Sequence, residues 1–293
     1  MDARTRTFEN ARKRLQGIAY RMLGSAGEAE EVVQDVWLRW DAANDDDIAS
    51  AEAWLVSTTT RLSIDHLRAA KVRREHYTGY WLPEPLLADG PATPEDILER
   101  ADDISVAFLM LLERLAPDAR AAYLMREVFD ADYSEVARVT GKSEAACRQM
   151  VHRARAQLTE GRPRRKVPPQ DHYRLMRAFA DAMDSGDLAA MASMMDEDAT
   201  LIGDGGGIVP SFGKPLEGAR RIAQLFYASH RRFGKGVRVE LAVFNGQWGL
   251  LRFIGGELES AQSYETDGER IVRIHVQRNP EKLARIRQAL GYF

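Results

Sequence analysis

The chain has 293 residues, a formal net charge of −3, 45% hydrophobic residues and a single cysteine. That length is enough for two or three domains with a core each, and a lone cysteine excludes an intramolecular disulfide framework. The sequence has no apolar run of membrane-spanning length and no apolar signal-peptide core, so we expect a cytoplasmic protein without a membrane partner.

Three amphipathic helices are predicted in residues 1–76. Apolar residues recur at helical spacing over 8–23, 26–40 and 51–74, and a Gly-Ser pair ends the first run. The segment AANDDDIAS after the second run favours turns, because Asn and Asp side chains compete for backbone hydrogen bonds. We therefore expect an all-helical first domain.

The third predicted helix is basic in its second half, with five Lys or Arg residues from Arg61 to Arg74. Taken singly, Trp54 is interpreted as a core residue and the run of three threonines as neutral surface. Together, this helix and the polar loop would suit a single strand of nucleic acid, with charges for the backbone and pockets for flipped-out bases. Both interpretations stay open on these residues alone. The candidate side chains are Thr58, Thr59, Arg61, Asp65, His66 and Arg68.

Residues 77–94 are predicted to form a linker, because four prolines and two glycines disfavour regular structure there. Its aromatic and leucine side chains would be unfavourable in water. We therefore expect the motif WLPEP to dock on a neighbouring surface. The motif comprises Trp81, Leu82, Pro83, Glu84 and Pro85.

Residues 95–161 are predicted to form a second helical domain, with helices over 94–115 and 117–128 followed by a helix-turn-helix. Ser134 is the expected N-cap of the first helix of that motif, Gly141 its left-handed turn residue, and Ser143 the cap of the second helix.

The second helix of this motif has two faces. Cys147, Val151, Ala154 and Leu158 recur at spacings of four, three and four, so they predict a buried stripe. The opposite face of this helix carries arginine, glutamine and histidine side chains. Such an exposed, basic face fits a DNA major groove, where one good bidentate contact between a side chain and a base discriminates by about 1–3 kcal/mol. An ordinary solvated helix has the same pattern, so that alternative stays open. The outward residues are Arg148, Gln149, His152, Arg153 and Arg155.

Residues 162–170 form a second basic, proline-rich linker, and residues 171–293 are predicted to be an α+β domain with a curved antiparallel sheet. Asn-Gly and Asp-Gly pairs predict two hairpins in that sheet. The predicted helices cover 173–183, 188–195, 217–233 and 280–290, and the predicted strands cover 199–202, 237–245, 247–254, 258–266 and 270–277.

This arrangement of helices and strands resembles the SnoaL-like branch of the NTF2-like fold, and the resemblance implies a pocket in the C-terminal domain. To be catalytic, such a pocket would need a base of tuned pKa facing an oxyanion donor. We favour an empty or ligand-sensing cavity over an enzyme, and we expect no metal and no cofactor. DGGG, which spans residues 204–207, lacks the lysine and helix of a nucleotide loop, so it is interpreted as a turn or as a close backbone contact with another surface. The candidate pocket residues are Asp198, Asp204, His230, Trp248 and Tyr264.

Three motifs in the first 160 residues resemble those of an extracytoplasmic-function (ECF) sigma factor, a bacterial transcription initiation factor. They are YRMLGSAGEAEEVVQDVWLRW, EAWLVSTTTRLSIDHLRAAKVRRE and LAPDARAAYLMREVFDADYSEVARVTGKSEAACRQMVHRARAQL. The resemblance implies core RNA polymerase and promoter DNA as partners. It implies polymerase contacts by Glu31, Gln34, Asp35, Leu38 and Arg39, contacts to the −10 element by Asn44, Thr58, Arg61, Asp65, His66 and Arg68, and contacts to the −35 element by Ser143, Arg148, Gln149, His152, Arg153 and Arg155.

The C-terminal domain resembles the SnoaL-like branch of the cone-shaped NTF2-like fold, which leaves room for a small-molecule ligand. Fusion of such a domain to an ECF sigma core, with WLPEP and DGGG present, resembles a subfamily whose C-terminal domain regulates sigma activity in cis. The pattern in that subfamily is DGGGK, and here Ile208 replaces the lysine. The implied interdomain residues are Trp81, Leu82, Pro83, Glu84, Pro85, Asp204, Gly205, Gly206 and Gly207.

Two rival functions remain on the sequence. One is a SnoaL-type isomerase, cyclase or hydrolase fused to a helical DNA-binding module, which would turn over small carbonyl compounds. The other is a ligand-responsive repressor, which would bind duplex DNA as a symmetric dimer without the polymerase. Co-purification with core RNA polymerase distinguishes a sigma factor from both.

Overall fold

The computed structural model describes residues 2–44, 48–75, 77–88, 104–159 and 167–291. Its contacts divide the chain into two units. Unit 1 combines Met1–His76 with Leu109–Gly161, and unit 2 combines Tyr77–Phe108 with Arg162–Phe293. The segment that follows the first helical module therefore belongs with the C-terminal domain.

The first module of unit 1 consists of α1 (Ala3–Leu23), α2 (Ala26–Asp41) and α3 (Ala51–Glu75). Helix α1 begins five residues earlier than predicted, because Asp2 accepts the Thr5 amide at 2.6 Å and caps the helix. The aspartates of the predicted polar loop lie outside the described residues. Side chains that are no more than 1% exposed form the core of the module: Leu15, Ile18, Met22, Leu23, Val32, Val36 and Leu55.

The second module consists of α4 (Val106–Leu112), α5 (Pro117–Glu127), α6 (Tyr133–Thr140) and α7 (Glu144–Thr159). The helix predicted over 94–115 is described only as α4, since residues 89–103 lie outside the described part of the chain. The division between the two units falls within α4.

A buried ion network joins the two modules inside unit 1. Arg120 is 3% exposed and donates to the Met22 carbonyl at 2.6 Å and to Glu113 at 2.7 Å. Arg74, at the end of α3, binds the other oxygen of Glu113. Burial alone would raise the pKa of Glu113, but the two guanidinium groups together lower it. The carboxylate thus stays ionised and ties α3 to the second module.

Unit 2 contains a six-stranded sheet in the order β2-β1-β6-β5-β4-β3. The prediction of an antiparallel sheet is wrong at one place, because β1 runs parallel to β6. Parallel neighbours need a long crossover, and the 66 residues between Asp204 and Ile271 provide one. The strands are β1 (Met195–Asp204), β2 (Leu216–Glu217), β3 (Val237–Phe244), β4 (Gln247–Ile254), β5 (Glu257–Thr266) and β6 (Ile271–Gln277).

Helices cover both faces of this sheet. Helices α8 (Pro169–Ser185), α9 (Leu188–Ser193) and α10 (Ala219–Phe233) cover the inner face, where Phe179 packs edge-on against Phe226 and Tyr264. Helix α11 (Pro280–Ala289) covers part of the outer face, with Leu283 and Ile286 in a second core cluster. Two all-helical modules and an α+β C-terminal domain confirm the predicted fold class.

Several elements of unit 2 begin or end at other residues than predicted. Helix α8 begins at Pro169, four residues before the predicted start and inside the predicted linker 162–170, because a proline is tolerated in the first turn of a helix. Helix α9 ends at Ser193 because Met195 already belongs to β1, which is longer at both ends than the predicted strand. Helix α10 begins at Ala219, since Leu216 and Glu217 pair with β1 as the short strand β2. The first hairpin has the expected turn, in which Asn245 and Gly246 adopt φ values of 53° and 69°.

Candidate functional site

Helices α6 and α7 form the helix-turn-helix. Gly141 ends α6 in the left-handed conformation, with φ of 69°, and Ser143 accepts the Ala146 amide at 3.3 Å to start α7. The predicted N-cap Ser134 is wrong. The cap lies two residues earlier: α6 begins at Tyr133, and the Glu135 carboxylate accepts the Asp132 amide at 3.1 Å, as expected when Asp132 is the N-cap.

Helix α7 has the two predicted faces. The stripe of Cys147, Val151, Ala154 and Leu158 is between 0% and 2% exposed. On the outward face, Arg148, His152 and Arg155 share one stripe, because spacings of four and three keep them on the same side of a helix. Exposed residues of this face and its margin are Ser143, Arg148, Gln149, His152, Arg153 and Arg155.

Carboxylates orient two of these arginines. Arg148 binds Glu144 at 2.7 Å and lies over the Tyr133 ring, 5.0 Å from its centre. Arg155 contacts both oxygens of Glu127, at 2.6 and 2.7 Å. Both pairs are solvent-exposed, so they position the guanidinium groups more than they stabilise the fold.

The face of α3 with Thr58, Arg61, Asp65 and Arg68 adjoins the second module within unit 1. These residues follow one another at spacings of three, four and three, which places them in one stripe. Arg61 donates to the Arg138 carbonyl at 2.7 Å, at the end of α6. Of the other two predicted residues for the −10 element, Asn44 is exposed and His66 is half-buried.

Asp118 is the charged centre of this contact. It lies in the first turn of α5 and accepts Arg68 of α3 at 2.8 Å. Its second oxygen pairs with Lys142 of the helix-turn-helix at 3.2 Å. One carboxylate therefore connects a candidate DNA-binding residue of α3 to the turn of the helix-turn-helix.

The outward face of α2 is polar, with one large apolar side chain in it. Glu31, Gln34 and Arg39 are exposed, and Asp35 pairs with Arg39 at 3.7 Å. Leu38 is 59% exposed, although leucine usually lies in a core. Single exposed apolar side chains are common on protein surfaces, so Leu38 is available to a partner but does not by itself identify a binding surface.

The structure brings WLPEP and DGGG together at the Asp204 carboxylate, which has no exposed surface. Its oxygens accept hydrogen bonds from five donors, so the charge is buried with its bonding capacity filled. The donors are the Leu82 amide (2.9 Å), the Tyr77 hydroxyl (2.6 Å), the Gln277 amide group (3.2 Å), the Lys282 ammonium (2.7 Å) and the Gly206 amide (2.9 Å).

Lys282 supplies the positive charge that Ile208 cannot, since Ile208 is 54% exposed at the predicted lysine position. The Lys282 ammonium also donates to the Leu82 carbonyl at 2.7 Å and lies 4.3 Å from the centre of the Trp81 ring. Sequence reasoning missed this residue. A signal was present, because a lysine in the first turn of a helix is disfavoured by the helix dipole unless a carboxylate compensates.

Tyr77 completes the site. Its hydroxyl donates to Asp204 and accepts from the Asn279 amide group at 3.1 Å. Burial, and next the hydrogen bond to Asp204, raise the pKa of Tyr77 well above its ordinary value. The hydroxyl therefore keeps its proton and remains a donor at neutral pH.

The rest of the linker lies along the C-terminal domain and pairs with the end of β3 through a single β-bridge between Leu87 and Phe244. Leu82 is 1% exposed, and Glu84 pairs with Arg285 of α11 at 3.0 Å. The Leu86 amide donates to the Asn245 side chain at 3.1 Å, and the Ala88 amide donates to the Val243 carbonyl at 2.9 Å. Trp81 and Leu86 are half-buried, and Pro83 and Pro85 are buried.

The glycines of DGGG allow this close approach. Gly206 has φ of 66°, and a Cβ there would overlap the Asn279 side chain. Gly207 has φ of 73° and lies against Thr78 of the linker. Gly205 is buried, and its carbonyl accepts the amides of Ile208 and Val209.

The five candidate pocket residues do not form one cluster. Asp204 binds the linker, Asp198 is exposed on β1, and His230 lies against Gly186. Trp248 packs edge-on against Tyr173, with ring centres 5.0 Å apart.

The remaining candidate, Tyr264, belongs to a polar row inside the sheet. The Tyr264 hydroxyl donates to Gln262 at 2.6 Å, and Gln262 donates to Ser260 at 3.0 Å. Burial raises the pKa of Tyr264 well above its ordinary value, so it cannot serve as a base at neutral pH. The row satisfies its own hydrogen bonds, and it lacks the acid–base pair of a catalytic site.

Within the described ranges, no helix is long and apolar enough to cross a membrane, and no three His, Cys, Asp or Glu side chains are placed to hold a metal ion.

The sequence matches the family Sigma-70 region 2 over residues 7–73 and the family Sigma-70, region 4 over residues 105–158.

Curated relatives are similar over nearly the whole chain. The ECF RNA polymerase sigma factor SigJ of Mycobacterium tuberculosis is 37% identical over 92% of this chain and 86% of its own length. The probable ECF RNA polymerase sigma factor SigI of the same species is 32% identical over 94% of this chain and 93% of its own length. The crystal structure of SigJ matches with a TM-score of 0.76, covering 94% of this chain and 97% of that one. The chain therefore belongs to the extracytoplasmic-function sigma factors of RNA polymerase.

Proposed function

We propose that this sigma factor directs promoter-specific initiation and that its C-terminal domain regulates it in cis by holding the linker between the two helical modules. The observation that carries the proposal is the Leu82 amide bound to the buried carboxylate of Asp204. A carboxylate with no exposed surface and five donors is costly to assemble, so the docked linker is a specific state and not a passing contact.

Docking the linker limits the reach of the two modules. A free tether of 12 residues spans up to about 40 Å when extended. Residues 77–88 lose that freedom when they bind the C-terminal domain, and Asn245 holds the next described residue, Ile104, at 3.0 Å. Release of this segment would lengthen the tether, and the two modules could then reach promoter elements that neither spans alone.

The three surfaces predicted from the sequence remain our assignment. Core RNA polymerase would bind the α2 face around Leu38. The stripe of α3 from Thr58 to Arg68 would hold the −10 element, and the α7 face around Arg148 would bind the −35 element. The exposed leucine in α2 and the outward basic stripe of α7 support this division.

Deletion after Gly161 tests regulation in cis. In reconstituted transcription with core polymerase, the shortened chain should change promoter output severalfold, because the linker has lost its docking partner. Asp204→Asn in the full chain should shift output in the same direction. Equal output from all three proteins would contradict the proposal.

Substitution of Arg148 tests the α7 assignment. Arg148→Ala should weaken promoter binding in a sequence-dependent way, by about 1–3 kcal/mol at one base pair. Arg177→Ala, which alters an exposed arginine of α8 outside the helix-turn-helix, is the control and should leave promoter discrimination unchanged. Uniform losses across promoters from Arg148→Ala would indicate phosphate contact only.

We also propose that the protein acts in the cytoplasm, where polymerase and promoter are available, and that its C-terminal domain is not an enzyme. The dispersed pocket candidates support the second statement. A small molecule that binds this domain should raise its melting temperature, which a screen of compounds would detect. Turnover of a small carbonyl compound by the full chain would contradict the proposal that the domain is not an enzyme.

A further inference from the structure

Helix α10 of the C-terminal domain has an exposed face made of arginines. Its exposed residues are Arg220, Arg221, Gln224, Ala228, Arg231, Arg232 and Phe233. At 100° per residue, the first six fall within an arc of about 120°, opposite the buried Ile222 and Phe226. The helix has no acidic residue, although the whole chain carries a net charge of −3. Arg220, Arg221, Arg231 and Arg232 are called the arginine face below.

Carboxylates do not neutralise the arginine face within the part of the chain that the structure describes, where none of its four guanidinium groups forms an ion pair. Several exposed arginines elsewhere have such partners. Arg148 of α7 pairs with Glu144, and Arg177 of α8 pairs with Asp181, whereas Arg153 and Arg270 have no ion pair among the described residues. What distinguishes the arginine face is that four such charges lie on one side of a single helix.

Helix stability does not explain this arrangement. Arg231 and Arg232 lie in the last turn, where the helix dipole favours cations. Arg220 and Arg221 lie in the first turn, where the dipole disfavours them. The helix offers these four positive charges no acidic residue to offset them. A face that is unfavourable in the isolated domain is more easily explained by an anionic partner.

The geometry and chemistry fit DNA phosphates. Arg231 follows Arg220 by eleven positions, so the two pairs lie about 16 Å apart along the helix. That distance lets one helix contact phosphates at two separate places on a duplex. Guanidinium groups bind phosphate oxygens with paired, charge-assisted hydrogen bonds. The protein belongs to a family that binds promoter DNA, so duplex DNA is the polyanion available to it during initiation.

We propose that the arginine face binds the phosphate backbone of duplex DNA, which gives the C-terminal domain a sequence-independent DNA contact of its own. The contact goes beyond regulation by linker docking, because α10 contributes none of the donors to Asp204. It adds affinity through the tether without adding base specificity.

Salt-dependent binding of the full chain to a random-sequence duplex of about 40 base pairs tests the proposal. The slope of log K against log salt is negative, and each phosphate contact contributes about 0.9 to its magnitude. The variant R231Q/R232Q should reduce that magnitude by about 1–2. The variant R220Q/R221Q/R231Q/R232Q should lower it by about 2–4, with an affinity loss on the order of tenfold at low salt. The control R174Q/R177Q removes two positive charges from α8 and should change the slope little.

Several outcomes would overturn the proposal. Equal losses from R231Q/R232Q and R174Q/R177Q would indicate a general effect of net charge. Unchanged slopes in both arginine-face variants, or no binding by the wild-type chain at low salt, would exclude the contact. Weaker binding to core polymerase with unchanged DNA binding would assign the arginine face to an acidic protein surface. Circular dichroism should show that all variants remain folded, as expected for exposed side chains.

Discussion

Asp204 is the residue on which the linker site depends. Its carboxylate is fully buried, and Lys282, with a side chain 13% exposed, compensates its charge. Removing one partner of a buried charged pair usually costs about 3–5 kcal/mol, because the other charge stays buried without compensation. Substitutions here should therefore affect docking far more than exposed substitutions on the same strand.

Asp204→Asn should release the linker. The Leu82 amide loses its charged acceptor, and Lys282 is left without a carboxylate in a nearly dry site. Hydrogen exchange at the Leu82 amide should accelerate by at least about tenfold, which corresponds to about 1.4 kcal/mol. Asp198→Asn, on the same strand but exposed, is the matched control. Unchanged exchange at Leu82 in Asp204→Asn would show that other contacts hold the linker.

We expect His275 to make the C-terminal domain sensitive to acid. It is 3% exposed, and burial lowers its pKa to about 4, although Glu265 at 3.6 Å opposes the shift. The folded-state pKa lies below the ordinary value of 6.5, so the unfolded chain binds this proton first as the pH falls. Stability should therefore decrease between about pH 6.5 and pH 4, by an amount on the order of 3 kcal/mol.

Hydrogen exchange of the β6 amides, corrected for intrinsic rates, measures this loss. The variant His275→Gln should flatten the dependence on pH, whereas His152→Gln, which alters an exposed histidine of α7, should leave it unchanged. Burial also lowers the pKa of His172, so part of the dependence should persist in both variants. An identical pH profile in the wild type and His275→Gln would contradict the assignment.

At the scale of elements, α3 and the helix-turn-helix share an electrostatic contact. Asp118 accepts Arg68 from α3 and Lys142 from the turn. Two candidate DNA-binding residues thus have protein partners in this arrangement: Arg68 binds Asp118, and Arg61 binds the Arg138 carbonyl. DNA phosphates would compete with Asp118 for Arg68, since carboxylates and phosphates both accept charge-assisted hydrogen bonds from a guanidinium group.

Asp118→Asn should loosen α3 from the second module. Partly exposed ion pairs contribute about 0–1 kcal/mol each, so the expected change is a broader distance distribution and not unfolding. Spin labels at the exposed positions Ala69 and Ala156, in a Cys147→Ala background, would measure it. Asp65→Asn is the control, because Asp65 pairs with Arg68 within α3 and connects no second helix. Equal broadening in the two variants would show that Asp118 does not bridge them.

At the scale of the whole molecule, the linker connects unit 1 to unit 2 along the chain. Its described residues, 77–88, belong to unit 2, although they follow directly on the first module. A change in docking should therefore alter transcription only when the C-terminal domain is present. Such a dependence would show that the linker acts through docking on the C-terminal domain and not as an undocked tether.

Leu82→Asp tests that dependence. Leu82 is 1% exposed, and leaving a leucine undocked costs about 1.5–3 kcal/mol, so docking should weaken by about ten- to a hundredfold. The substitution should change transcription by the full chain and be silent in the chain that ends at Gly161. An equal effect in both chains would place the action of Leu82 outside the docked state.

The local features of this protein were predictable from the sequence. Helices α2, α3 and α7 and the Asn245-Gly246 hairpin appear close to their predicted positions, because helical periodicity and turn chemistry depend on residues a few positions apart. The basic face of α7 followed from the same periodicity. So did the interpretation of Cys147 as a core residue, which is fully buried.

Only the tertiary structure decided the rest. Lys282 lies 78 residues from Asp204, and Tyr77 lies 127 residues from it, so no local pattern indicates that these side chains meet. The parallel pairing of β1 with β6 likewise depends on a long crossover that brings distant strands side by side. Contacts of this range are selected by the packing of the whole domain, since many pairings of similar local pattern compete for each strand and each charge.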